Sequence, residues 1–271
     1  MKVPFSAILY ILVLAIASLA SVGIAVAQSE FPAVVELSLF VIFVVLAVFA
    51  ELYATWIPAY DWEISSSIAI YLAALFILGL HLTVLLVFLA SLVSEVFLRS
   101  RDDESIQTSG IFPIVFNVSQ LVLTVTVSGL LLPLLNLESL KLVRATDFAL
   151  AVAVFCVYLV LNLSFVMGIV SITERKPFFA SMLRSTRQFF VQYLVLCVSA
   201  LLLTALYSIS MWHVFLALFP LTLVHVSFRG YVKLQTEARN TFQRISQLLD
   251  ARDHYTAVSY THLTLPTILL V

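Results

Sequence analysis

The stretch from residue 64 to residue 98, ISSSIAIYLAALFILGLHLTVLLVFLASLVSEVFL, decides the fold class of this chain. Glu95 is its single Asp, Glu, Lys or Arg residue, and a helix needs about 20 mainly apolar residues to cross the hydrocarbon of a bilayer. The whole chain of 271 residues has the same character, since 62% of it is hydrophobic and 11% is charged. Soluble domains carry about 25% charged residues. Lipid must therefore cover much of the surface, and the sequence predicts an all-α, polytopic transmembrane helical bundle.

The same rule applied to the rest of the chain predicts about eight spans. The third and fourth divide the stretch quoted above, and they are so short and continuous that a bent hairpin or a re-entrant pair is an alternative. The first begins after Lys2 and ends in Ala25-Val26-Ala27, as a cleavable signal peptide does, but its apolar region exceeds the 7–15 residues of such peptides. We therefore expect it to be an anchor. The eight candidates are 4–27, 33–54, 64–80, 81–98, 111–135, 148–172, 190–208 and 211–227.

The positions of the basic residues predict the orientation of these spans. With both termini in the cytoplasm, only Lys141 and Arg144 of the 14 Lys and Arg residues would face outside, in agreement with the positive-inside rule. We therefore expect a multi-pass protein of the bacterial cytoplasmic (inner) membrane, with the lipid bilayer as its first partner. The net charge of -1 gives no indication of nucleic-acid binding. Cys156 and Cys197 lie in apolar runs and are interpreted as small hydrophobic residues.

Residues 228–249 are polar, charged and favourable to helix, and they are interpreted as a cytoplasmic amphipathic signalling helix. Their apolar positions follow the spacing of a coiled coil over nearly three heptads. Two interpretations remain open: the helix lies on its own domain or on lipid headgroups, or it pairs with a second copy and carries a signal to a cytoplasmic domain. The stripe consists of Tyr231, Leu234, Ala238, Thr241, Ile245 and Leu248.

The sequence LLDARDHYTA at 248–257 resembles the opening helix of HD-GYP domains, which are bacterial phosphohydrolases of cyclic di-GMP. The typical phrase of that family is L-x-A-R-D-x-Y-T-x-G-H-S. Upstream, FAELYATWIP (49–58), FNVSQ (116–120) and YLVLNLSF (158–165), together with residues 64–79, resemble the MASE-like membrane sensors that are often fused to such outputs. The matching residues of the phrase are Leu249, Ala251, Arg252, Asp253, Tyr255 and Thr256.

This resemblance implies a membrane sensory module of a cyclic di-GMP phosphodiesterase, with divalent metals in a catalytic domain that we expect to be missing. After Ala257 the Gly-His-Ser of the family is absent, and no carboxylate follows Asp253. Opening a phosphodiester with two metal ions needs several such ligands, so we expect neither activity nor a cofactor in this chain. Residues 258–271 resemble translated sequencing adapter. The expected domains are 1–227 (sensor), 228–249 (signalling helix), 250–257 (start of HD-GYP) and 258–271 (non-native tail).

Polar residues at membrane depth are candidate sites, because their burial in lipid is costly. Glu51, Asn117, Gln120 and Asn162 are candidates for lining the pocket of an unknown ligand. The plainer alternative is that the amides join helices by hydrogen bonds and that Glu51 reaches headgroup water. Two other functions stay open: a small-molecule transporter or its membrane-embedded binding subunit, and the sensor of a GGDEF cyclase.

Overall fold

The computed structural model describes residues 4–29, 34–57, 62–100, 111–134, 144–210 and 212–252. The family-motif residues Asp253, Tyr255 and Thr256 lie outside the described residues, as does the tail 258–271. Ala251 and Arg252 are the last two residues of the final helix. The described chain divides into two compact units, one within Met1–Ala54 and Ser65–Leu221, the other within Thr55–Ile64 and Thr222–Val271.

Helices make up nearly all of the described chain, so the predicted all-α helical bundle is confirmed. A short antiparallel hairpin of β1 (Thr55–Ile57) and β2 (Trp62–Ile64) is the one departure from helix among the regular elements described, with Trp56 opposite Glu63. The helices are α1 (Phe5–Gln28), α2 (Val34–Leu52), α3 (Ser67–Ser100), α4 (Phe112–Gly129), α5 (Leu131–Leu134), α6 (Ala145–Glu174), α7 (Phe178–Ile209) and α8 (His213–Arg252).

Six of the described helical segments are long and apolar enough to cross a membrane, which makes the chain a multi-pass membrane protein. The prediction of about eight spans was wrong by two. The third and fourth predicted spans both fall within α3, which has a kink inside it and counts as one candidate span, and the eighth belongs to α8, which is not among the six. The six segments are Phe5–Gln28, Val34–Leu52, Ser67–Ser100, Phe112–Pro133, Ala145–Glu174 and Phe190–Ile209.

A kink at Gly79 divides α3 into two helical parts, close to the boundary predicted between the third and fourth spans at residues 80 and 81. Gly79 has φ 79° and ψ −179°, a non-helical conformation inside α3 that residues with a Cβ rarely adopt. The helix before Gly79 therefore passes into the helix after it without an intervening loop. Gly129 of α4 lies against this break, since a Cβ built there would be 2.6 Å from Leu80 Cδ1 and 2.8 Å from Leu75 Cδ1.

The first unit is built around α3 and α4. More than half of the apolar window of each is buried (56%), against 22% for α1 and 17% for α2. α2, α1 and α7 pack on α3, while α1 and α6 pack on α4. The outer helices turn large apolar side chains such as Leu12, Ile16 and Val41 outward. This arrangement is typical of a bundle whose outer surface contacts lipid rather than water.

Candidate functional site

Most buried serine and threonine hydroxyls among the described residues form hydrogen bonds within their own helix. Thr83, Ser91, Thr124, Ser128 and Thr204 each donate to the backbone carbonyl four residues earlier, over 2.6–2.9 Å. Such bonds satisfy a hydroxyl locally and join no other helix. The candidate site is therefore sought among the side chains that bond to another helix.

The first such contact holds Glu51, at the end of α2, against the beginning of α3. Ser67 Oγ donates to Glu51 Oε1 over 2.6 Å, and Tyr71 Oη donates to the same oxygen over 3.0 Å. Ser67 and Tyr71 are four residues apart on α3, so they lie on one face of that helix. Both are fully buried, and hydrogen bonds to a carboxyl group at such a depth are stronger than bonds between neutral groups.

Local structure explains how α3 begins beside Glu51. Ser65 Oγ donates to the carbonyl of Ala50 over 3.0 Å and accepts the backbone N–H of Ser67 over 3.1 Å. A serine just before a helix commonly caps its unpaired N–H groups in this way. Ser65 therefore ties the beginning of α3 to the end of α2 and places Ser67 next to the carboxyl group of Glu51.

The second contact joins α4 to α6. Asn162 Nδ2 donates to Gln120 Oε1 over 3.2 Å, and both side chains are buried. One turn earlier on the same face of α4, Asn117 Nδ2 donates to Glu95 Oε1 of α3. Arg99 Nε donates to the other oxygen of Glu95 over 3.1 Å. α4 thus bonds to two neighbouring helices through amides three residues apart.

Tyr158 is a buried tyrosine on α6, the helix that also carries Asn162. It is four residues before Asn162 on α6, so the two side chains share a face of that helix. It is 1% exposed, and its hydroxyl has no hydrogen-bond partner among the described residues. The carboxyl group of Glu51 and the phenol of Tyr193 are near enough to act on it electrostatically. Buried hydroxyl groups in native structures nearly always have a hydrogen-bond partner, so the Tyr158 hydroxyl is a candidate for a functional role.

Together these side chains form a set of polar groups within the apolar bundle, which we call the polar track. Hydrogen bonds, shared helix faces and, between Tyr158 and Glu51, an electrostatic interaction relate its members. They lie on α3, α4, α6 and the end of α2. The members are Glu95, Asn117, Gln120, Asn162, Tyr158, Glu51, Tyr71 and Ser67.

The track shows how the structure places the four side chains predicted for a ligand pocket. Gln120 and Asn162 form a hydrogen bond with each other. This is the kind of bond between helices that the sequence predicts as the alternative to a ligand pocket. Asn117 bonds to Glu95 rather than to either of them. Glu51 belongs to the Ser67–Tyr71 group. The four residues therefore belong to three separate hydrogen-bonded groups rather than to one bonded cluster.

Sequence reasoning missed Ser67, Tyr71 and Tyr158. The spacing of these residues in the sequence could have identified them. Ser67 and Tyr71 are four residues apart within an apolar helix, and so are Tyr158 and Asn162. A polar pair on one face of a membrane helix indicates a contact with another helix.

No group of three or more His, Cys, Asp and Glu that could hold a metal ion occurs among the described residues. Comparisons of this chain with known proteins found no matching family model, no matching curated protein and no matching solved structure.

Proposed function

We propose that this chain is the membrane sensory and signal-transduction module of a bacterial cyclic di-GMP phosphodiesterase of the HD-GYP type. The observation that carries the proposal is α8, an unbroken helix of 40 residues from His213 to Arg252. Its first part is apolar and its last part is polar and charged, as in a helix that leaves a membrane. It ends within the phrase that resembles the opening of an HD-GYP domain. A continuous helix can transmit a displacement, because its hydrogen-bonded backbone resists bending.

The polar part of α8 supports pairing with a second copy of this chain. Leu234, Ile245 and Leu248, all members of the heptad stripe, are 66%, 47% and 71% exposed. Lys233 and Glu237 form an ion pair one turn apart beside the stripe. Repeated apolar exposure at heptad spacing is typical of a helix that buries its seam against an identical partner. Ala238 and Thr241 in the stripe are small or polar, so the two paired helices would hold each other only weakly. A weak pair can adopt two alternative packings of similar energy, as a signalling helix requires.

Disulfide crosslinking in membranes tests the pairing. After the native cysteines are replaced, Ile245→Cys places a thiol in the stripe, whereas Gln243→Cys places one on another face of the same exposed helix. We expect mild oxidation to crosslink the Ile245→Cys chain into dimers and to leave the Gln243→Cys chain mainly monomeric. Equal crosslinking at both positions would overturn the paired helix.

The polar track supports the sensory part of the proposal. Polar groups inside a membrane are costly, and they are retained mainly where they bind a ligand, move a proton or join helices that shift. The hydroxyl of Tyr158, which has no hydrogen-bond partner among the described residues and on which Glu51 acts electrostatically, is where we propose that a stimulus or ligand acts. This chain, fused to an intact HD-GYP domain, provides the assay. We expect Asn162→Ala and Glu51→Gln to change the regulated hydrolysis of cyclic di-GMP, while Ser199→Ala, a hydroxyl bonded within α7, leaves it unchanged.

The proposed arrangement places both termini in the cytoplasm of a bacterium. Six spans counted from a cytoplasmic N-terminus place Lys141 and Arg144 inside and the basic residues 175, 176, 184 and 187 outside, the reverse of what eight spans predict for both groups. Eight of the 14 Lys and Arg residues then face the cytoplasm, including Lys2 and those of the polar part of α8. Single cysteines introduced at 141 and 176 test this by labelling intact cells with a membrane-impermeant maleimide. We expect labelling at 176 alone; labelling at 141 alone would reverse the orientation.

The genomic sequence beyond codon 257 tests the output domain. A Gly-His-Ser continuation followed by HD and GYP motifs would support the proposal, and another coding sequence or a stop codon would overturn it.

A transporter is the second candidate, and the polar track is the observation that favours it. Transported ions and polar solutes need such groups along their path. The long polar end of α8 has no evident role in that function. Solute or proton uptake into proteoliposomes distinguishes the two candidates, since a sensory module alone would give no uptake above that of empty vesicles.

A further inference from the structure

A cluster of basic residues surrounds the connection between α6 and α7. Arg175 closes α6 in the left-handed conformation (φ 56°), Lys176 follows it, and Arg184 and Arg187 lie in the first turns of α7. Glu174 is the one acidic residue between 174 and 189, and it pairs with Lys176. We call residues 175–189 the basic turn; it carries a clear excess of positive charge.

The position of the basic turn along α7 corresponds to the depth of lipid headgroups. α7 is one continuous helix, and in its sequence the mainly apolar run that could cross a bilayer begins at about Phe190. Arg187 and Arg184 precede Phe190 by three and six residues, which is about 4.5 and 9 Å along the helix axis at a rise of about 1.5 Å per residue. The polar layer on each side of the hydrocarbon is about 5–8 Å thick. Both guanidinium groups can therefore reach lipid phosphates.

The side chains around these arginines also fit a lipid surface. Ser185 contacts Met167 Sδ of α6 at 3.9 Å, so the opposite side of α7 faces away from α6. Phe179 and Leu183 on that opposite side are 81% and 72% exposed, and Arg184 and Arg187 beside them are exposed as well. Large apolar side chains next to arginines are typical of a helix at the boundary between acyl chains and headgroups.

We propose that the basic turn is a binding surface for the headgroups of anionic phospholipids. The arginines bind the phosphate groups, and Phe179 and Leu183 insert among the adjoining acyl chains. Charge complementarity identifies the partner, because the surface is basic and is continuous with a membrane-crossing segment of the same helix. Each Lys or Arg near an anionic bilayer surface contributes about 1 kcal/mol to such binding. The inference does not depend on whether the chain is a sensor or a transporter.

Native mass spectrometry of the full chain, released from nanodiscs of phosphatidylglycerol and phosphatidylcholine, tests the surface. The test variant is Arg184→Gln/Arg187→Gln, and the matched control is Arg239→Gln/Arg244→Gln, which removes the same charge from the exposed polar part of α8. We expect the test variant to retain phosphatidylglycerol about 30-fold more weakly relative to phosphatidylcholine, which is about 2 kcal/mol at 1.4 kcal/mol per tenfold. The control is expected to retain it as the parent chain does.

If both variants lose the preference for phosphatidylglycerol equally, the proposed binding surface is refuted, because the effect would then follow from net charge alone. Unchanged retention in the test variant would overturn it as well. A charge-conserving variant, Arg184→Lys/Arg187→Lys, addresses folding: we expect it to keep most of the preference, because both charges remain. If it loses the preference as completely as the glutamine variant does while the helix content is unchanged, attraction by charge is refuted.

Discussion

Two buried tyrosines with opposite hydrogen-bond status allow the polar track to be tested directly. Tyr71 and Tyr158 are both fully buried in the bundle, and each becomes phenylalanine by loss of one hydroxyl. The Tyr71 hydroxyl donates to Glu51 over 3.0 Å, whereas the Tyr158 hydroxyl has no partner among the described residues. The substitutions are matched in volume and burial, so they differ mainly in the hydrogen bond that is lost.

The expected magnitudes follow from that difference. A hydrogen bond to a charged group contributes about 1.5–3 kcal/mol in soluble proteins, while bonds between membrane helices average about 0.6 kcal/mol with a maximum of about 1.7. We expect Tyr71→Phe to lower the free energy of unfolding by about 1–2 kcal/mol, since Ser67 still donates to Glu51 in the variant. We expect Tyr158→Phe to be neutral or to stabilise by up to about 1 kcal/mol, because an unpaired buried hydroxyl is itself unfavourable.

Reversible unfolding in mixed micelles of mild detergent and dodecyl sulfate, followed by far-UV circular dichroism, measures both values. The result that would refute the reasoning is a Tyr158→Phe variant as unstable as Tyr71→Phe. The hydroxyl of Tyr158 would then have a partner in the purified protein. A Tyr71→Phe variant as stable as the parent chain would show that its bond to Glu51 contributes nothing.

Three further predictions use the same unfolding assay. Gly168→Ala is expected to destabilise by about 1 kcal/mol, because its Cβ would lie 2.6 Å from Tyr10 Oη and overpacking outweighs the gain in helix propensity. Gly23→Ala, where a Cβ meets nothing within 4 Å, is expected to stabilise by up to about 1 kcal/mol; equal effects would contradict the packing of α1 on α6. Tyr10→Phe is expected to cost about 0.6 kcal/mol, since its hydroxyl donates to a backbone carbonyl of α6, and no cost would argue against that bond. Asn162→Leu and Gln120→Leu should each destabilise but together cost less than their sum by about 0.6–1.7 kcal/mol, and strict additivity would refute their contact.

The sequence was sufficient to predict which parts of the candidate site are polar, but it could not predict their partners. Gln120 and Asn117 stood out because an amide in an apolar span is rare, and both do bond to other helices. Gln120 bonds to α6 and Asn117 bonds to α3. This choice of partners depends on how α4 is rotated about its axis between its neighbours. Tyr158 drew no attention as a sequence feature, since a tyrosine in a membrane helix is common, and only its burial without a partner distinguishes it.

The sequence by itself determined the fold class, because the need for long apolar helices in lipid is a property of consecutive residues and requires no knowledge of tertiary contacts. It also indicated where α8 becomes polar. The tertiary structure decided the rest. It placed the third and fourth predicted spans in α3 with a kink between them at Gly79, where a backbone conformation rather than hydropathy governs the path of the chain. It also assembled the polar track from four helices, since hydropathy depends on composition alone, whereas a hydrogen bond requires two helices to meet at the same depth and with the right faces.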